Sequence, residues 1–128
     1  MKMILSLIIA IVLVACLYLR MRTNEDTEMA EGIMGNTHVC VKPGFGGDKF
    51  TIRFNADGTY RYYEGSLSSY IGFGNWSVEN GIVTMIETTG RDKTFHFRLE
   101  DGALYYVTEG SSKFMHVDVV EGDKFRLE

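Results

Sequence analysis

From residue 38 onward the chain alternates apolar and polar side chains in runs of four to eight residues, and turn-forming residues separate the runs about every 8–12 positions. A period of two belongs to a strand with one dry and one wet face, which argues against amphipathic helices over most of the chain. Residues 49–55 show it most clearly: Phe50, Ile52 and Phe54 alternate with Thr51, Arg53 and Asn55. Asn55-Ala56-Asp57-Gly58 supplies a turn, after which Tyr60 and Tyr62 continue the inward face. Trp76 and Val78 point inward on the run 74–78, and Asn80-Gly81, a strong hairpin signal, leads into 82–88. Phe95, Phe97 and Leu99 oppose Thr94, His96 and Arg98, and further runs at 103–108, 113–119 and 125–127 bring the expected total to eight or nine strands.

Parallel strands need crossover connections of a dozen or more residues, and these turns are too short to supply them. The sheet is therefore expected to be antiparallel and in sequential order. A meander of this length removes its exposed edges most simply by closing on itself. The expected fold class is all-β: an antiparallel up-and-down meander closing into a small barrel or curled sandwich, preceded by an N-terminal hydrophobic helix. One domain of about 100 residues buries enough surface to fold without disulfides or metals.

The first part of the chain differs. Residues 3–19 carry no charge and are flanked by Lys2, Arg20 and Arg22. Such a run is a candidate anchor, at the short edge of the roughly 20 residues that usually span a bilayer. Residues 4–13 behind Lys2 also fit a secretory core of about 7–15 apolar residues. Leu13-Val14-Ala15-Cys16 resembles the lipobox of bacterial lipoproteins, which implies acylation of the Cys16 thiol and cleavage just before it. Leu17-Tyr18-Leu19 prolong the apolar run as an uncleaved anchor would, and both readings stand. Residues 1–22 are thus read as signal peptide or membrane anchor and 23–37 as an acidic linker that lifts the domain off the membrane. Residues 38–128 are read as the barrel-like domain, facing the extracytoplasmic side of the cell membrane.

Beyond Arg22, 10 basic residues stand against 17 acidic ones, a net of −7. An acidic domain without a basic stripe in its sequence is a poor partner for nucleic acid or anionic lipid. A disulfide would have to join Cys16 in the leader to Cys40 in the domain, so none is expected.

The segments Phe54-Asn55-Ala56-Asp57-Gly58-Thr59-Tyr60 and Gly74-Asn75-Trp76-Ser77-Val78-Glu79-Asn80-Gly81-Ile82-Val83-Thr84 look like consecutive hairpins of lipocalin-like bacterial domains. With the Leu67-Ser68-Ser69-Tyr70 loop, the pattern is similar to small membrane-tethered or lipoprotein domains of Gram-positive bacteria. The resemblance covers residues 38–127 and rests on turn and core motifs. It implies a lipocalin-like barrel at a membrane and carries no catalytic residues with it.

Motifs for chemistry are absent from the sequence. His38 and Cys40 share a strand face and His96 and His116 fall on later strands, but no Cys-x-x-Cys or His-x-x-x-His spacing joins them. Serines at 66, 68, 69, 111 and 112 sit in glycine-flanked turns, outside any Gly-x-Ser-x-Gly or Ser-x-x-Lys pattern. No catalytic residue, metal ligand or cofactor is expected. The strongest signal is aromatic. Residues 65–74 carry Leu67, Tyr70, Ile71 and Phe73 between glycines, and with Trp76 they form the candidate ligand- or partner-binding set, either as a lid over the barrel end or as a contact patch. The expected function is a non-enzymatic, membrane-tethered binding or sensing module for a protein or a small apolar ligand. The alternatives are an exported inhibitor of a host or competitor enzyme such as lysozyme, suggested by a Ser/Gly/Lys loop at 109–114, or a purely structural envelope protein.

Overall fold

The computed structural model describes residues 2–41, 49–65, 70–90 and 92–128 and consists of one long helix followed by eight strands. These are α1 (Lys2–Ile33), β1 (Thr37–Val41), β2 (Lys49–Phe54), β3 (Thr59–Tyr63), β4 (Ile71–Glu79), β5 (Ile82–Glu87), β6 (Thr94–Glu100), β7 (Ala103–Val107) and β8 (Lys124–Leu127). Each strand pairs antiparallel with the next, and β8 returns to β1, so the meander closes into a barrel with no free edge. At the β4–β5 turn Asn80 and Gly81 both adopt positive φ, 54° and 75°, the twist that a two-residue hairpin requires.

Side chains fill the interior, as an eight-stranded barrel of this width permits. Phe50, Ile52, Phe54, Tyr60, Tyr62, Val83, Met85, Phe95, Phe97, Leu104 and Phe125 are fully buried. β4 makes room for the largest of them. Its inward positions are Gly72, directly opposite Tyr62, and Gly74, directly opposite Tyr60. A Cβ on Gly72 would lie 2.0 Å from the Tyr62 ring, and one on Gly74 would lie 1.9 Å from the Ile86 carbonyl oxygen. Tyr62 therefore occupies space that Gly72 leaves vacant, while Gly74 lets β4 and β5 approach closely.

Two expectations need correction. Residues 113–119 are not a strand; they belong to the connection between β7 and β8. Because β8 pairs with both β7 and β1, the closed wall has no edge for a ninth strand. The apolar residues there serve packing instead: Phe114 stacks on Phe95 at 4.1 Å and sits edge-on to Phe50 and Tyr62, sealing the barrel end.

The second correction concerns the acidic linker, which is helical as far as Ile33. Met29, Ala30 and Ile33 fall at helical spacing on one side of α1, where Ile33 is buried and the other two pack against the core. Asp26 accepts the N–H groups of Asn80 and Gly81 at 3.1 and 3.3 Å, and Gly35 N–H donates to the Phe54 carbonyl at 2.7 Å. Asp26 follows Leu19 by seven residues, a rise of about 10 Å along a helix. Leu19 itself borders the crevice formed with Val78, Glu79 and Asn80. The apolar helix, able to anchor in a membrane or act as a signal sequence, thus leads straight into the barrel end with no intervening spacer.

Replacing Gly74 with alanine pushes Cβ into backbone, which cannot rotate aside. Gly74→Ala is expected to lower the free energy of unfolding by at least about 2 kcal/mol in urea titrations. Gly32→Ala, a helical site with open space around it, is expected to be neutral or stabilising by up to about 1 kcal/mol. An unchanged midpoint for Gly74→Ala would refute the close approach of β4 to β5.

Candidate functional site: the outer face of strands β3 to β5

The candidate binding set divides across the barrel wall. On β4 the alternation places Ile71, Phe73 and Asn75 outside and Gly72, Gly74 and Trp76 inside. Trp76 is buried edge-on to Phe54 at 5.3 Å, and its indole N–H donates to the Asn55 carbonyl at 3.1 Å. Tyr70 packs against the core, and its hydroxyl donates to Glu87 Oε2 at 2.9 Å. Ile71 and Phe73 are 43% and 48% exposed. They belong to a strand, so they form a fixed patch and not a lid. Leu67 lies outside the described residues, and Cys16 lies exposed within α1.

Neighbouring strands enlarge the patch. Tyr63 stands directly opposite Ile71, Arg61 opposite Phe73, and Arg53 opposite Arg61. Ile86 projects outward from β5 opposite Asn75. Directly opposed residues have Cβ atoms about 4.5–5.5 Å apart, so these side chains form one continuous surface. A groove of about 650 Å³ runs along it, lined by Arg61, Ile71, Phe73, Asn75 and Thr88 among others. Ile71 and Phe73 belong to the candidate set read from the sequence; Tyr63, Ile86 and the arginines join this surface only through strand register, which the sequence does not display.

Inside the barrel, behind the same strands, lie two carboxylates that sequence reasoning also passed over. Glu64 and Glu87 are each only 3% exposed. Glu87 accepts the hydroxyls of Tyr62 and Tyr70. Glu64 Oε1 accepts the N–H groups of His116 and Val117 at 2.9 and 3.2 Å, which ties down the connection that carries Phe114. Both positions continue an inward alternation, 60-62-64 and 83-85-87, and that was the available signal. Burial, reinforced by the nearby Glu87 charge, pushes the Tyr60 and Tyr62 phenols well above their ordinary range, so both stay neutral. The cluster braces the interior: Glu87 joins β5 to Tyr62 and Tyr70, and Glu64 joins the end of β3 to the connection before β8. Among the described residues, no group of three His, Cys, Asp or Glu side chains is placed to hold a metal ion.

His38 sits at the helix end of the barrel, edge-on to Phe54, with Nε2 2.9 Å from the Gly102 carbonyl. Cys40, on the same strand, is buried. The fold and its wall define a closed eight-stranded β-barrel carried by an apolar helix, with an arginine- and aromatic-rich patch on one side. No protein-family model matches the sequence, and no curated protein matches it.

Desolvation holds the His38 imidazole below its ordinary value of 6.5. The unfolded chain therefore takes up this proton first as pH falls, and stability declines below about pH 6.5. Thermal melts between about pH 7 and 5 should show that decline, and His38→Gln should flatten it. Parallel slopes in the two proteins would remove His38 as the cause.

Proposed function

We propose that this chain is a non-enzymatic, membrane-anchored binding module whose barrel faces the extracytoplasmic side and engages a protein through the outer face of β3–β5. The reading is carried by the exposed cluster of Tyr63, Ile71, Phe73 and Ile86 on a barrel whose interior is already filled with its own rings. Aromatic and arginine side chains are among the types enriched where proteins bind one another. A closed wall offers no edge for strand addition, so the contact is made by side chains.

Two observations favour this face over the alternatives. A small apolar ligand would have to displace Phe114 and the rings around it. The 109–114 loop of the inhibitor reading is engaged within the barrel: Ser111 and Ser112 hydroxyls accept the N–H groups of His96 and Thr94 at 2.8 and 3.1 Å, and Phe114 is buried. For attachment, α1 continuing unbroken through Cys16 into the barrel supports a retained anchor. Lipidation at Cys16 is the other route to the same membrane, as expected of a tethered bacterial lipoprotein.

Mass spectrometry of the membrane-extracted protein distinguishes the two routes. An intact chain beginning at Met1 is the expected result, whereas a mature chain beginning at a diacylglycerol-modified Cys16 would replace the anchor with lipoprotein processing. For the binding face, a photo-crosslinking residue at position 73 in living cells should give discrete adducts that Ile71→Asp abolishes. The same probe at position 105, across the barrel on β7, should give none of them. Identical adduct patterns from both positions would overturn the assignment.

A further inference from the structure

Resting on the reading of this wall as a contact face, we infer that the partner meets it with an acidic segment of protein chain, its carboxylates held by Arg53 and Arg61 and an adjacent apolar side chain lodged beside Phe73. The two arginines stand directly opposite one another on β2 and β3, both exposed. Like charges so placed repel, a cost the sheet would avoid if the pair had no other use. Their row is completed by Thr37 on one side and Phe73 on the other, so no acid flanks either arginine in register. Neither has an ion-pair partner among the described residues, although acidic residues outnumber basic ones 17 to 13 in the chain.

Two other wall cations find acids, while Lys124 and Arg126 on β8 have no ion pair among the described residues. Lys49 lies 3.9 Å from Glu128, and Arg98 lies 2.7 Å from Glu100 while its guanidinium covers the Tyr105 ring. Asp57, an acid in the groove lining, accepts the N–H and hydroxyl of Thr59 through Oδ1 alone, at 3.0 and 2.6 Å, and forms no ion pair with Arg61. Six acids gather at the end where α1 docks. Glu25, Glu28 and Asp101 border one crevice there, and Asp26, Glu31 and Glu79 border another. The net charge of the domain therefore hides a local inversion: an acidic end and a cationic, apolar side wall.

The occupant follows from that arrangement. A planar guanidinium presents a fork matched to a carboxylate, and two forks on adjacent strands hold one carboxylate or two neighbouring ones. The groove beside Ile71 and Phe73 then receives an aromatic or aliphatic side chain of the same segment. Anionic lipid offers comparable charge, but the carboxylates of the docking end stand nearest the apolar run and repel it, whereas the arginines lie on the side wall.

The test uses the full chain in nanodiscs of neutral lipid and fluorescence anisotropy of a labelled peptide alternating glutamate with phenylalanine and leucine. That peptide should bind, its lysine-for-glutamate counterpart should not, and added salt should weaken the complex. Arg53→Gln and Arg61→Gln should each weaken binding roughly tenfold while leaving the thermal midpoint unchanged or raised, since removing one charge relieves the repulsion. The inference is overturned by equal binding of the two peptides, by no binding of either, or by indifference to the arginine substitutions. It is equally overturned by arginine-dependent binding to phosphatidylglycerol vesicles without binding of the acidic peptide. If position 73 still yields its adducts in cells while the arginine variants bind the acidic peptide normally, the contact face stands and the acidic partner alone is lost.

Discussion

Tyr62 packs against β4 where Gly72 presents no side chain, and Tyr60 stacks beside it with ring centroids 6.2 Å apart. Much else depends on that exchange of volume. With the tyrosines in place, Phe50, Phe95 and Phe114 close around Tyr62 in edge-on and stacked contacts. Tyr62 in turn reaches Glu87, and Glu87 holds Tyr70 at the barrel mouth. Edge-to-face ring pairs are worth about 0.5–1.5 kcal/mol each beyond the area they bury, so a network of this size makes the interior a solid core.

The second organising contact is the docking of α1. A flexible linker would leave the barrel free to tumble relative to α1. Here Ile33 enters the core, Asp26 takes two N–H groups of the β4–β5 turn, and Gly35 and Asn36 exchange backbone bonds with Phe54. These contacts hold one barrel end against the helix, and the acidic turns gather there. The patch of Tyr63, Ile71, Phe73 and Ile86 is consequently presented sideways, at a set orientation to the helix axis.

Most of the barrel was legible in residue order. Phe50, Ile52, Phe54, Tyr60, Tyr62, Phe95, Phe97 and Leu99 were all placed inward by alternation alone, and all are buried. Alternation misled at 113–119, where the same period served a loop that packs two side chains into the barrel end. It was not applied far enough at 64 and 87, where it pointed two carboxylates inward. The linker was misjudged because its acidic composition masked Met29, Ala30 and Ile33 at helical spacing. For the candidate site, the aromatic density around residue 70 drew notice, but only strand register separates Ile71 and Phe73, outside, from Trp76, inside.

Local pattern by itself determined the strand character, the short antiparallel connections, the apolar leader and the inward core, because each follows from side-chain periodicity and turn chemistry within a few residues. Tertiary structure alone decided closure of β8 onto β1, the seating of α1 in the barrel end, and the facing of Arg53 with Arg61 beside Phe73. Those features join residues distant in the chain, and their register depends on how all eight strands share one interior. No window of sequence contains that packing condition.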